Sequence, residues 1–186
     1  MDDPDFSYSR VNRLMALIGL AGGEGLDEVL EVSERAAAGK VFSGKTPYSR
    51  SRMDTHSLIG EDRIWSIVVA VERLADKKAA PALERILNDP DLAGQRIEKM
   101  TSGVTPPKAA LLEIAVARAA AHCGSRLGAL RLTDYLSDAR SVFRKMAEKA
   151  LKECFGQIPD GKGWKEYIEH MPDMPVTAYR GDPFCG

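Results

Sequence analysis

The stretch "TPPKAALLEIAVARAAA", residues 105–121, decides the fold class of this chain. After Lys108, its apolar run is interrupted only by Glu113 and Arg118. Thr105 is suited to cap a helix, and the two prolines that follow it are suited to a first helical turn. Its many alanines permit neighbouring helices to approach closely. The stretch therefore predicts a helix at the centre of an all-α protein.

Helical periodicity recurs along the chain, and no segment shows the alternation of a half-buried strand. The segment "EDRIWSIVVAVERL", residues 61–74, is apolar almost all round after an acidic first turn. Its length and its charged ends favour a helix over a buried strand. Further helices are predicted over residues 8–20, 26–34, 127–136 and 163–170, and over a segment that starts at Pro81 with Leu83, Ile86 and Leu87 facing inward.

The segment "ARSVFRKMAEKALKECF", residues 139–155, is predicted to be a helix capped by Asp138. Gly156 and Pro159 are expected to end it. One stripe of this helix is expected to face the core. Its members are Val142, Phe143, Met146, Ala147, Ala150, Leu151, Cys154 and Phe155.

The segment "LADKKAAPALERILND", residues 74–89, resembles the HEAT-type α-helical repeat, in which a short turn with Asp and a basic residue leads into an A-x-P-A-L pattern. Residues 61–155 carry this resemblance best. It implies a right-handed α-solenoid, an α-α superhelix, of about four helical hairpins that bury a continuous core between neighbours. We expect a HEAT-like domain over residues 1–170 and an extended Pro/Gly-rich tail over residues 171–186.

The stretch "GKVFSGKT", residues 39–46, fits the P-loop pattern G-x-x-x-x-G-K-[ST] letter for letter. A P-loop requires a buried strand before the glycines and a helix that begins at the Lys-Thr. Here a charged amphipathic helix is predicted before the stretch, and Pro47 follows it directly. We therefore interpret the match as accidental.

The same stretch opens a long loop, residues 39–60, within an otherwise tightly turning helical array. Loops of about 20 residues are uncommon in compact domains. One interpretation is a loop that contacts phosphate, carboxylate or nucleic-acid backbone, and the alternative is a solvated linker insertion. The residues that would contact the anion are Lys40, Lys45, Arg50, Arg52 and His56.

Metal and cofactor chemistry finds little support in the residue pattern. The three cysteines do not have zinc spacing, and Cys123 and Cys154 are interpreted as buried thiols. The three histidines are far apart, and no His-Glu dipeptide of the kind used by di-iron HEAT-type enzymes occurs. No G-x-G-x-x-G motif is present either. We predict no catalytic residue, no metal site and no cofactor.

Charge and hydropathy give no general attraction to a polyanion or a membrane. Lys plus Arg total 26 and Asp plus Glu total 27 among 186 residues, so any charge-driven partner needs a local patch. No apolar run approaches the ~20 residues of a membrane helix. The opening "MDDPDFSYSR" lacks the features of a signal peptide, and it is equally consistent with the edge of a longer protein.

Together these patterns favour a non-catalytic protein-interaction or scaffold module whose partner is another protein or a neighbouring domain. HEAT-like segments are appended to bacterial enzymes such as oxidoreductases, and a similar position is one expectation for this chain. The concave-face residues expected to contact the partner are Arg35, Arg85, Arg131 and Asp134. The first alternative is nucleic-acid or phosphoanion binding through the basic loop. The third is a HEAT-like enzyme of lyase type.

Overall fold

A computed structural model describes residues 68–69, 71–90, 92–100, 107–158 and 163–180. All regular elements in these residues are helices, so the all-α prediction is confirmed there. The elements are a 3-10 helix, η1 (Lys77–Ala79), and five α-helices. These are α1 (Ala80–Leu87), α2 (Pro107–His122), α3 (Arg126–Tyr135), α4 (Ser141–Phe155) and α5 (Trp164–Glu169).

The segment before η1 is helical at residues 68–69 and 71–74, as its charged ends predict. Ala75 then adopts a φ of 50°, in the left-handed region that residues other than glycine enter rarely. The Asp76 side chain accepts a hydrogen bond from the Lys78 amide at 2.9 Å and thereby caps η1. Pro81 lies in the first turn of α1, where its missing N–H costs nothing.

Helix α2 is the centre of the described core. It contacts α1, α3 and α4, while α5 packs on α3. Every residue from Leu112 to His122 is buried. The approach of α3 is closest at Gly128, where an added Cβ would lie 2.6 Å from the Ala120 Cβ and 2.7 Å from the Ala117 carbonyl oxygen. The alanines of α2 therefore allow the close packing that the sequence predicts.

The turns around α3 and α4 use polar side chains differently from one another. Ser125 caps α3 by accepting a hydrogen bond from the Gly128 amide at 2.9 Å. Asp138 was expected to cap α4, but the N-cap residue is Arg140. Asp138 instead accepts from the Arg140 amide at 2.8 Å, a bond to the residue two positions on. The prediction for Val142 is also wrong, since it is 55% exposed at the start of α4.

The segment after α5 is extended and lies on the helices. We call residues 171–180 the strap. Arg126, at the start of α3, donates to the Glu169 carbonyl at 2.6 Å and to the Met171 carbonyl, which fixes where the strap begins. The strap was predicted to be extended, and it also contacts residues on α2 and before η1. The HEAT-like solenoid arrangement stays a prediction, as do the domain boundaries.

Candidate functional site

The strap lies in a groove that we call the strap groove, formed by Glu72, Arg118, His122 and Gly124. The Thr177 amide donates to the His122 carbonyl at 3.1 Å, and the Tyr179 amide donates to the Glu72 carbonyl at 2.8 Å. Because alternate residues of an extended segment point the same way, both residues face the groove. The groove therefore holds an extended chain by its main chain.

Tyr179 is the side-chain anchor of the strap. It is 4% exposed, whereas its neighbour Ala178 is exposed. The Arg118 guanidinium lies over the Tyr179 ring, with Cζ 4.6 Å from the ring centroid. The His122 ring packs beside it in a tilted arrangement, with centroids 5.3 Å apart. A cation over an aromatic face and a tilted aromatic pair are both favourable geometries.

A glycine lets the strap approach the end of α2. Gly124 has a φ of +83°, and a Cβ built on it would lie 3.2 Å from a Val176 methyl carbon. The Met174 and Pro175 carbonyl oxygens would lie 3.6 Å from the same Cβ. A larger residue at position 124 would be strained by its backbone and would press on the strap.

Beneath Tyr179, a buried ion pair links α2 to the preceding helical segment. Arg118 Nε donates to Glu72 Oε2 at 2.9 Å, and Arg118 Nη2 donates to Oε1 at 3.1 Å. The Glu72 side chain is fully buried and that of Arg118 is nearly so. Burial raises the pKa of Glu72 to about 7, although the charges of Arg118 and Arg73 act in the opposite direction.

His122 contacts the strap with its side chain as well as its carbonyl. Its Nδ1 lies 2.5 Å from the Thr177 carbonyl oxygen, so Nδ1 carries the proton and donates. His122 is 1% exposed, and its Nε2 has no hydrogen-bond partner among the described residues. Burial and the nearby Arg118 lower the pKa of His122, while the bond to Thr177 partly opposes them. The neutral imidazole is the form that this environment favours.

The thiols near the groove are poorly suited to nucleophilic chemistry. Cys123 and Cys154 are both buried, as predicted. Burial raises the pKa of Cys123 to about 12, and its Sγ lies 3.7 Å from the Val71 carbonyl oxygen. Burial also raises the pKa of Cys154. Because the thiolate is the reactive form, these groups are interpreted as core residues.

A second polar cluster, which includes Glu113 of α2, holds the loop 92–100. We call it the loop anchor, formed by Glu113 and Asp138. Glu113 accepts from the Gly94 amide at 3.0 Å and from the Gln95 amide at 2.8 Å. It also accepts from Arg131 Nη1 at 2.8 Å and from the Tyr135 hydroxyl at 2.5 Å.

Asp138 completes the loop anchor. It accepts from the Ile97 amide at 3.1 Å and from Arg140 Nη2 at 2.7 Å. Burial raises the pKa of Asp138, but its hydrogen bonds from Arg140 and Ile97 outweigh burial and hold that pKa below 3.8. The Ala139 amide donates to the Ile97 carbonyl at 2.8 Å, so the loop is also fixed by its main chain.

A shallow cleft that is open to solvent lies between α2 and α4. Ile114, Met146 and Ala150 supply its apolar lining, and Arg118 and Tyr179 also border it. Within the described ranges, no group of three or more His, Cys, Asp or Glu side chains is placed to hold a metal ion. None of the described helices has the length and apolarity to cross a membrane.

Three of the sequence-predicted contact residues lie within the described part of the chain, and none of these three belongs to the strap groove. Arg131 is paired with Glu113 in the loop anchor, whereas Arg85 on α1 and Asp134 on α3 are exposed. Six others lie outside the described residues: Arg35, Lys40, Lys45, Arg50, Arg52 and His56. Partner contact by any of these residues stays a prediction. The same holds for anion binding by the 39–60 loop and for the accidental nature of "GKVFSGKT".

Sequence reasoning did not single out the residues that form the strap groove. One signal was available, because Glu113 and Arg118 are charged residues within an otherwise apolar helix. A buried charge requires a partner, and this requirement points to Glu72 or another acidic residue near α2. No comparable signal identified Tyr179 as an anchor.

Comparison with known proteins adds no further assignment. No protein-family model, curated protein sequence or solved structure matches this chain.

Proposed function

We propose that this chain is a helical protein-interaction module that holds an extended polypeptide segment in the strap groove. The observation that supports the proposal is the strap itself. It is held by main-chain hydrogen bonds at Thr177 and Tyr179 and by the buried Tyr179 ring. An incoming segment with an aromatic residue two positions after a main-chain contact would reproduce these interactions.

The main-chain contacts and the aromatic contacts recognise different features of a bound segment. The carbonyls of Glu72 and His122 accept from main-chain amides, which every residue except proline can supply. The space between Arg118 and His122 instead selects a flat aromatic ring. The partner is therefore a protein segment, or a neighbouring domain, that carries Tyr, Phe or Trp in an extended stretch.

The first experiment measures binding of a fluorescent peptide with the strap sequence "MPDMPVTAYR", residues 171–180, to the full chain. The resident strap competes at an effective concentration in the mM range. We expect the peptide to bind the Tyr179→Ala chain about tenfold or more tighter than the unaltered chain, because the weakened strap competes less.

Two altered peptides test the mode of binding. A peptide with Tyr179→Ala should bind neither chain, whereas one with Ala178→Ser should bind like the original because Ala178 is exposed. Far-UV circular dichroism checks that the altered chain remains helical. No anisotropy change with either folded chain, or equal binding of the peptide that lacks the aromatic ring, would reject the proposal.

A further inference from the structure

We propose that protonation of His122 releases the strap and opens the strap groove in mildly acidic solution. The release concerns the chain alone. Only the identity of the segment that then enters the groove rests on the proposed function.

His122 is the residue on which the strap depends most directly. Its carbonyl accepts from the Thr177 amide at 3.1 Å, and its Nδ1 donates to the Thr177 carbonyl. Its ring also packs against Tyr179. One residue thus holds both main-chain groups of Thr177 and one face of the anchor. A charge on its ring strengthens the Nδ1 bond, but burial and the Arg118 charge outweigh this gain and disfavour the charged form.

The surroundings of His122 disfavour a second proton. Protonation would place an N–H on Nε2, and Nε2 has no acceptor among the described residues. The charged group beside it is the Arg118 guanidinium, whose like charge lowers the pKa of His122. On the strap side, the His122 ring faces the Tyr179 ring. Glu72 lies beyond Arg118 and carries the charge that balances the Arg118 guanidinium. Lifting the strap admits water, which can accept from both ring nitrogens.

Proton uptake at Glu72 has the opposite effect. Burial raises the pKa of Glu72 to about 7. Removing Tyr179 from above Arg118 would expose this pair to water and lower that pKa, so the strap-bound state binds this proton more tightly. Acidification below about pH 7 therefore favours the bound strap through Glu72, down to the lower pKa of the opened state, and this effect opposes that of His122. Below the ordinary histidine value of 6.5, further acidification favours release through His122.

The experiment measures hydrogen-exchange protection factors of the Thr177 and Tyr179 amides in the full chain between pH 8 and 5. Because protection factors are corrected for intrinsic exchange, they report opening directly. In Glu72→Gln, where the opposing titration is absent, we expect protection to be constant above pH 6.5 and to fall below it by up to tenfold per pH unit, the limit for one proton. Protection of Glu72→Gln that is flat below pH 6.5 would overturn the proposal.

Three variants test which residue causes the pH dependence of strap protection. His122→Asn retains a side-chain donor near the position of Nδ1 but does not titrate, so adding it to Glu72→Gln should leave protection flat below pH 6.5. His170→Asn is the matched control, because His170 is exposed and its Nδ1 lies 2.8 Å from the Glu166 carbonyl oxygen. Added to Glu72→Gln, it should keep the fall. The chain that retains Glu72 should show a shallower fall than Glu72→Gln, because proton uptake at Glu72 opposes release. The same fall after the addition of His122→Asn would contradict the proposal.

A second measurement covers the case in which His122→Asn does not fold. Two-dimensional NMR of the histidine rings in Glu72→Gln follows the titration of His122 itself. The loss of strap protection must occur in the same pH range as this titration, and separate ranges would overturn the proposal.

Peptide binding separates this inference from the proposed function. Strap release in acid without any binding of the strap peptide would reject the function and retain the switch. Binding of equal affinity at pH 5.5 and 7.5, with unchanged protection in Glu72→Gln, would reject the switch and retain the function.

Discussion

Glu113 and Glu72 are both completely buried carboxyl groups, yet the structure surrounds them differently. Glu113 receives hydrogen bonds from two main-chain amides, an arginine and a tyrosine. For Glu72, the donors within the described residues all belong to Arg118. At equal burial, the two acids differ in the number of hydrogen-bond donors around them, and the acid with more donors is the one that holds a loop in place.

The two acids also lie in different regions of the molecule. Glu113 holds a loop that connects α1 to α2, and its four donors come from that loop and from α3. Glu72 lies below the strap, where the pKa of the carboxyl is raised to about 7 by burial. A pKa near 7 places proton exchange by Glu72 close to neutral pH, directly beneath the strap.

The largest effect is expected from Glu113→Ala. It leaves the Gly94 and Gln95 amides and the Arg131 guanidinium without their acceptor. Removing one partner of a buried, hydrogen-bonded charge pair costs about 3–5 kcal/mol. Urea unfolding followed by circular dichroism measures the loss. A loss below about 1 kcal/mol would mean that the loop anchor does not hold the loop in solution.

A smaller, pH-dependent effect is expected from Glu72→Gln. The folded-state pKa of Glu72 is raised from 4.5 to about 7, so the folded chain binds the proton more tightly than the unfolded chain. Stability due to this group is thus greatest at low pH and declines between about pH 4.5 and 7. The free energy of unfolding of the unaltered chain, relative to that of Glu72→Gln, should fall over this range by at most about 1.4 kcal/mol per pH unit.

Urea unfolding at pH 5, 6, 7 and 8 tests that relation. The His122 contribution, which is lost as pH falls below 6.5 because the folded-state pKa is lowered, is common to both chains and cancels in the comparison. A difference in unfolding free energy that is constant with pH would show that Glu72 stays ionised in the folded protein.

Tyr135→Phe sharpens the comparison by removing one donor from Glu113. The Tyr135 hydroxyl donates to Glu113 at 2.5 Å, and the other three donors remain. We expect a loss of about 1.5–3 kcal/mol in unfolding free energy, the usual contribution of one hydrogen bond to a charged group. Thermal unfolding gives the value. A cost as large as that of Glu113→Ala would indicate that the Tyr135 bond accounts for most of the stabilisation by the Glu113 cluster.

The smallest effect is expected at an exposed pair on α4. Lys152 Nζ lies 2.7 Å from Glu148 Oε1, and each side chain is about half exposed. Lys152→Ala should change the unfolding free energy by about 0.5 kcal/mol or less, because solvent screens such pairs. A change above about 1 kcal/mol in the same urea assay would contradict this ranking of buried over exposed charges.

Within the described residues, the sequence predicted the helices well where apolar periodicity and end signals agreed. Pro81 and the alanines of α2 have the roles that their positions predict. Asp138 shows the limit of such local signals. Its side chain reaches the Ile97 amide, 41 residues away, and this long-range bond is invisible to a rule based on neighbouring residues. Val142 was assigned to the core by spacing alone, yet it lies in the first turn of α4, where the stripe turns towards solvent.

The strap groove could not be predicted for the same reason. Proline and glycine content predicted an extended tail, but the bond between Thr177 and His122 joins residues 55 apart in sequence. A histidine beside a glycine turn also has the pattern of an ordinary helix end. Only the folded chain brings Glu72, Arg118 and Tyr179 together.

The position of the strap after all five helices has a consequence for the order of synthesis. A ribosome adds residues at about 5–20 per second, so Thr177 is added roughly 3–11 s after His122. During that interval α2 is already complete, while the chain's own strap does not yet exist. In a nascent chain, the α2 side chains of the groove are therefore synthesised some seconds before the segment that covers them.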